Sequence, residues 1–256
     1  YFTDINNNTD LKKIVSNNFE YVINLSGYIN HEKYFNSTSD LMDTHFNGVK
    51  NIVKNLNRSN LIKFVQIGSS DEYGQNISPQ VETYKDMPFT PYSLAKSMST
   101  NFIQMLNKSE NFPGTIIRLF LTYGPGQKSN RFIPQTVLSC LQNEELITTK
   151  GNQIRDFCYI DDVVDGLFLC LDNEKINGEI LNIASGIPIK IKDVVKLILE
   201  KTNHKKVSYG KLKLRKNENL SLYANINKFK KFTGWQPKIT LDEGIQKTIK
   251  FYRGLI

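Results

Sequence analysis

Tyr92 and Lys96 stand four residues apart in Pro91-Tyr92-Ser93-Leu94-Ala95-Lys96. On a helix that spacing puts both side chains on one face, one turn apart. A lysine ammonium near a phenol favours the phenolate and lowers the phenol's pKa from about 10. Such a tyrosine moves a proton on or off a hydroxyl while hydride moves elsewhere. By itself the pair also suits an ordinary amphipathic helix. A second segment narrows the choice. Gly68-Ser69-Ser70-Asp71-Glu72-Tyr73-Gly74 follows an apolar run, Ile62–Ile67, that reads as a strand. It puts two hydroxyls and two carboxylates at the strand's C-terminal end, the edge where open α/β sheets bind ligands. A hydroxyl there hydrogen-bonds a ligand hydroxyl or carbonyl, and Asp71 or Glu72 supplies or takes a further proton.

Three other segments carry weaker signals. Leu25-Ser26-Gly27 ends a strand with small residues that let a ligand approach the backbone. Arg118-Leu119-Phe120-Leu121-Thr122-Tyr123-Gly124-Pro125-Gly126-Gln127 ends another in a Gly/Pro-rich turn. Arg155, in Arg155-Asp156-Phe157-Cys158-Tyr159-Ile160-Asp161-Asp162-Val163, has the fork geometry to clamp a diphosphate, or it forms a surface pair with an aspartate.

The elements that must position these residues are legible in the hydrophobic pattern. Tyr21–Leu25, Ile62–Ile67, Thr115–Phe120 and Glu179–Ile183 are short, β-branched and nearly continuously apolar, as strands covered on both faces are. Asp40–Leu56 and Ser93–Asn107 between them show helical spacing. This alternation predicts a doubly wound parallel α/β sheet. Further helices are predicted over Phe132–Gln142 and Ile191–Lys201, with a helix stop at Gly234. A C-terminal helix is opened by the capping box Thr240–Glu243.

Composition bounds the rest. The chain has 256 residues, 39% of them hydrophobic and 23% charged, ordinary for a globular fold with a sizeable core. No apolar run approaches the roughly 20 residues of a membrane helix, and the N-terminus does not read as a signal peptide. Three cysteines without CxxC spacing argue against a disulfide framework or zinc site, which makes the cytoplasm the expected compartment. The net charge of +8 is spread over scattered lysines with no basic-aromatic ladder. It therefore points to an anionic small molecule such as a nucleotide diphosphate, with no nucleic acid expected.

In order along the chain, Asp4-Ile5, Asn24-Leu25-Ser26-Gly27, the 68–74 segment, Tyr92–Lys96, Arg118–Gln127, Arg155–Val164, Asn182–Gly186 and Gly234–Lys238 resemble the extended short-chain dehydrogenase/reductase family. The likeness is to its nucleotide-sugar epimerase, dehydratase and reductase branch, and it covers essentially the whole chain. It implies a Rossmann-like domain over residues 1–127 and a smaller, mainly substrate-binding α/β lobe over 128–256, with some elements returning to the first. It further implies NAD or NADP as cofactor, a nucleotide-diphosphate sugar as substrate, and a homodimer. Tyr92 would be the general acid/base and Lys96 would bind the nicotinamide ribose. Ser69 would be the active-site hydroxyl, and Asp71 would stand where dehydratases hold a catalytic glutamate and some epimerase-reductases a cysteine; in a register one residue shorter, Ser70-Asp71-Glu72 would instead match the dehydratases' Thr-Asp-Glu. Asp4 and Ile5 would flank adenine, and Leu25, Ser26, Gly27 and Phe120 would line the cofactor. Ser69 and Ser70 would touch the sugar, and Arg155 and Arg215 would hold its diphosphate.

Three departures stand out. The family's G-x-x-G-x-x-G loop is absent, so the sequence is expected to start after that unit. Leu121 replaces a common substrate-touching asparagine, and His45, read as a packed residue without a role, replaces a common helix asparagine. Three chemistries at sugar C4 stay open: 4-epimerisation, 4-keto reduction, and 4,6-dehydration, which needs a carboxylate pair. A non-catalytic nucleotide binder is the fourth reading.

Overall fold

The computed structural model describes residues 3–15, 17–29, 35, 39–214 and 218–256. In chain order, α1 (Asn8–Val15) precedes β1 (Tyr21–Asn24), and α2 (Ser39–Met42), a π-helical turn (Asp43–Asn47) and α3 (Gly48–Asn55) follow. β2 (Lys63–Ser69) ends in a 3-10 turn (Ser70–Tyr73), which leads to α4 (Pro91–Glu110), β3 (Gly114–Leu119) and β4 (Leu121–Tyr123). Then come α5 (Phe132–Leu141), β5 (Leu146–Thr148), β6 (Ile154–Tyr159), α6 (Ile160–Phe168), β7 (Ile180–Ile183) and β8 (Pro188–Lys190). The described chain ends with α7 (Ile191–Thr202), β9 (Val207–Tyr209), β10 (Ser221–Leu222), α8 (Asn227–Thr233) and α9 (Leu241–Arg253).

The first sheet has the order β1-β2-β3-β7, with every pair parallel. Alternate residues of its central strands face opposite layers. Phe64 and Ile116 pack with Val49, Ile52, Ile103 and Phe112 of the α3–α4 side. Val65, Ile67, Ile117, Leu181 and Ile183 pack with Val163, Leu167, Phe229 and Trp235 of the α6–α8 side. Helices on both faces of a parallel sheet make the fold doubly wound α/β, as the strand–helix alternation predicts. Each fully buried side chain of this kind contributes about 1.5–3 kcal/mol of burial free energy.

The second half of the chain builds a sheet of order β10-β6-β4, with β8 antiparallel to β6, and a β5–β9 pair. The two halves interlace. β4, from the first half, pairs with β6 (Tyr123 beside Tyr159), while β7, from the second, pairs with β3. A division at residue 127 therefore cuts across both sheets.

Local signals place α4 accurately. Thr90 caps it, with Ser93 completing the box and Pro91 at the first turn, and Asn111 ends it in the left-handed region. The helix predicted over 40–56 is broken by the π turn at Asp43–Asn47. Such a turn inserts one extra residue per hydrogen-bonded ring, and sequence periodicity does not register it. Cys140, Cys158 and Cys170 are buried and unpaired. No described helix is long and apolar enough to cross a membrane.

Candidate active site

At the C-terminal end of β2 the backbone turns sharply into the 3-10 turn, and Ser69 caps it. The Ser69 hydroxyl accepts from the Asp71 N–H at 3.2 Å, while Glu72 Oε1 accepts from the Ser69 N–H at 2.7 Å. The fixed Ser69 side chain faces α4, close enough to the Tyr92 phenol to oppose the rise of its pKa. Lys96 lies one turn further along α4 and donates to the Ile67 carbonyl at 2.9 Å. Tyr92 and Lys96 are each 5% exposed. The structure thus gathers Ser69, Tyr92 and Lys96 at one strand end.

The electrostatics correct one expectation. Burial is the largest influence on the Tyr92 phenol and pushes its pKa up, and the Asp71 carboxylate adds to the rise. The neighbouring Ser69 hydroxyl and the Arg131 charge oppose it. The phenol therefore sits above its ordinary value, where the sequence reading put it below. Burial also lowers the Lys96 ammonium to about 8, with the Glu72 charge opposing. Spacing reveals which groups are neighbours, but the depth at which they are buried is a tertiary property.

His45 belongs to this site, although helical periodicity gave it no role. It lies in the π turn, 2% exposed, with its ring edge-on to Tyr92 at 5.0 Å between centroids. Its Nε2 is 2.7 Å from the Tyr28 carbonyl, and Nδ1 is buried without a hydrogen-bond partner among the described residues. Burial, then the Lys96 charge, lowers its pKa to about 4, so the imidazole is neutral with Nε2 as donor. The ring lies against Gly27, where a β-carbon would come within 2.2 Å of Cε1; Gly27 has φ +127°, a conformation that disfavours any side chain. Arg131, at the head of α5, was likewise missed, having no motif of its own.

A buried charge cluster underlies the site. Glu72 and Arg118 are fully buried. Glu72 Oε2 accepts from Arg118 Nε at 3.0 Å, from Arg118 Nη2 at 2.8 Å and from the Thr100 hydroxyl at 2.7 Å. Arg118 Nη2 also pairs with Asp86 at 2.6 Å, and Asp86 accepts from Ser97 at 2.6 Å. Glu72 is therefore part of the scaffold. Asp71, half-buried, is the carboxylate of this loop whose charge is felt most strongly by the phenol.

The other expected residues fall in several places. Ser70 is buried in the 3-10 turn. Leu25 is 67% exposed beyond the end of β1, and Ser26 donates to the Asn24 side chain from both its N–H and its hydroxyl. Asp4 accepts from the Asn6 N–H, and the Ile5 side chain packs on Gly48. Phe120 is buried with Tyr73, Ala184, Leu222 and Ala224, in a cluster that holds neither Tyr92 nor Lys96. Arg155, on β6, pairs with Glu218 at 2.8 Å. Arg215 lies outside the described residues.

The site's chemistry fits a ligand rich in hydroxyls. Lys96 carries three N–H donors, one of them on Ile67, and two remain for a ribose-like diol. Among the described residues no cluster suits a metal ion.

Comparison with known proteins places the chain in a family. The chain is 27% identical over 213 residues to UDP-glucuronate 4-epimerase of Thermodesulfobacterium geofontis, covering 82% of this chain and 65% of that one. It is also 27% identical to human dTDP-D-glucose 4,6-dehydratase, covering 80% and 61%. The chain thus spans a little under two thirds of these curated relatives. The structure of UDP-glucuronic acid 4-epimerase from Bacillus cereus, in complex with UDP-glucuronic acid and NAD, superposes with a TM-score of 0.91. Identity there is 24%, over 99% of this chain and 81% of that one. The profile of the NAD dependent epimerase/dehydratase family matches residues 1–184, and the chain belongs to that family.

Proposed function

We propose that this chain is the catalytic and substrate-binding part of an NAD(P)-dependent enzyme acting at C4 of a nucleotide-diphosphate sugar, as a 4-epimerase or a 4-keto-6-deoxysugar reductase. The observation that carries the reading is the Tyr92 phenol facing the Ser69 hydroxyl at the end of β2, with the Lys96 ammonium one helical turn away at the same strand end. A bound NAD or NADP supplies the hydride acceptor or donor.

The chain's own residues supply the proton chemistry. Held above its ordinary pKa, Tyr92 rests as a neutral phenol, suited to donating a proton to a C4 oxygen as hydride arrives; the oxidative direction that opens an epimerisation needs the phenolate, which takes the C4 hydroxyl proton as hydride leaves. Ser69, fixed by the turn it caps, hydrogen-bonds the same oxygen and holds it within reach of the phenol. Lys96 would hold the nicotinamide ribose, and Arg155, paired here with Glu218, would exchange that partner for the diphosphate, together with Arg215. A 4,6-dehydratase needs two acid/base groups near C5 and C6 as well. Glu72 is committed to Arg118 and Thr100, which leaves Asp71 alone in this loop and favours the other two chemistries.

The test uses the full-length protein with NAD or NADPH and a panel of UDP-, GDP-, CDP- and dTDP-sugars, read by product mass and stereochemistry. Retained mass with inverted C4 identifies an epimerase, two added hydrogens a reductase, and lost water a dehydratase. Tyr92→Phe is expected to cut turnover by about 10² or more with substrate affinity little changed. Undiminished turnover in that variant would remove Tyr92 from the chemistry.

A further inference from the structure

We infer that Glu72 is a positioning residue for the Ser69–Tyr92 pair, holding the serine loop to the tyrosine helix through one fully buried carboxylate. The inference rests on the proposed function but concerns a residue that does not itself reach the substrate.

The geometry is specific. One oxygen of Glu72 holds the Ser69 backbone N–H at 2.7 Å, which fixes the strand end that carries the serine hydroxyl. The other holds Thr100 of α4, two turns beyond Tyr92, at 2.7 Å. The same oxygen takes two N–H groups from Arg118 of β3, so the carboxylate cannot swing away without stranding a buried guanidinium. Arg118 in turn engages Asp86, and Asp86 accepts from Ser97 of α4. Two ties therefore run from this cluster to the catalytic helix and one to the serine loop. Above Glu72 the fit is tight, since a β-carbon on Gly68 would lie 2.6 Å from Oε1. A shift of either element changes the separation of the Ser69 hydroxyl and the phenol, and misplacements of about 1 Å cost roughly 10²-fold in rate.

The carboxylate also acts through its charge. The groups facing the phenol are Asp71 and Glu72 from the 3-10 turn, Arg131 from the head of α5, the neutral His45 from the π turn, and Lys96 from α4 itself. Glu72 raises both the Tyr92 phenol and the Lys96 ammonium. Neutralising it moves both titrations down, a change that a purely mechanical support would not produce.

The experiment compares Glu72→Gln, Thr100→Val and Tyr92→Phe in the full-length protein on the sugar nucleotide that the panel identifies. Glu72→Gln is expected to lower kcat by about 10–100-fold with KM changed by less than about threefold. The alkaline limb of its kcat profile moves to lower pH. Thr100→Val, which keeps the charge and removes one tie, is expected to lower kcat by about three- to tenfold with the limb unmoved. A folded Glu72→Gln with wild-type kcat and pH profile overturns the inference. If Glu72→Gln does not fold, Thr100→Val decides, and wild-type kcat in that variant overturns it. Tyr92→Phe separates the two levels. Retained turnover there removes the functional reading, whereas lost turnover beside an indifferent Glu72→Gln removes only the positioning role.

Discussion

Replacing His45 by phenylalanine tests the electrostatics of the site without touching its proposed chemistry. Phenylalanine keeps a ring against Tyr92 and Gly27 but has no nitrogen. In the folded chain His45 is held down at about 4, mainly by burial, against an ordinary 6.5. As pH falls through the ordinary value the unfolded chain takes up a proton, and the folded one does not until about 4. The contribution is therefore intact above that window and lost on the way down through it. Integrating between neutral pH and about pH 4.5 gives a loss of about 2 kcal/mol from this residue. The variant starts lower, because the Tyr28 carbonyl loses its 2.7 Å donor, at a cost of about 1 kcal/mol. The quantity to compare is the change with pH. Urea denaturation at the two pH values, at constant ionic strength, should show wild type losing about 2 kcal/mol more than His45→Phe. Equal losses would mean that His45 is charged or solvated in the folded state, and the sealed imidazole described above would be wrong.

Other consequences are open to the same kind of test. Lys96→Met should raise stability at neutral pH by up to about 3 kcal/mol, because burial holds the ammonium at about 8. That advantage should shrink as pH rises from about 8 toward the ordinary lysine value, while NADH binding, read by fluorescence, weakens throughout. Asp71→Asn removes the main charge that raises the phenol, so the alkaline limb of turnover should move to lower pH with kcat reduced less than about tenfold. A dehydratase would instead lose its elimination step in that variant, seen as the disappearance of the mass loss of water.

Much of the frame was legible in the sequence. The runs Tyr21–Leu25, Ile62–Ile67, Thr115–Phe120 and Glu179–Ile183 became the parallel strands β1, β2, β3 and β7, because continuous apolar stretches suit strands covered on both faces. Tyr92 and Lys96 share a helix face because i,i+4 spacing demands it. The rest depended on distant partners. Glu72 and Arg118 are 46 residues apart, and nothing local says that they bury each other's charge. His45 looked like one apolar-face residue among several, whereas in the fold it lies in a π turn with its ring against Gly27 and Tyr92. The phenol's shift ran opposite to the expectation because a neighbouring ammonium can be counted along a helix, whereas loss of water around the ring cannot.

The crossing of β4 and β7 between the two halves bears on how a long ligand is received. A nucleotide sugar reaching from Ser69 to Arg155 would bridge strands β2 and β6, and those strands belong to sheets stitched together by the exchanged pairs β3–β7 and β4–β6. A jaw that opens needs a seam with few bonds across it. Here the seam is sewn from both sides, so accommodation of different ligands would fall to the segments beyond the strand ends, the 74–90 stretch and the turn before α5, while Ser69, Tyr92 and Lys96 sit on elements anchored to the shared sheet.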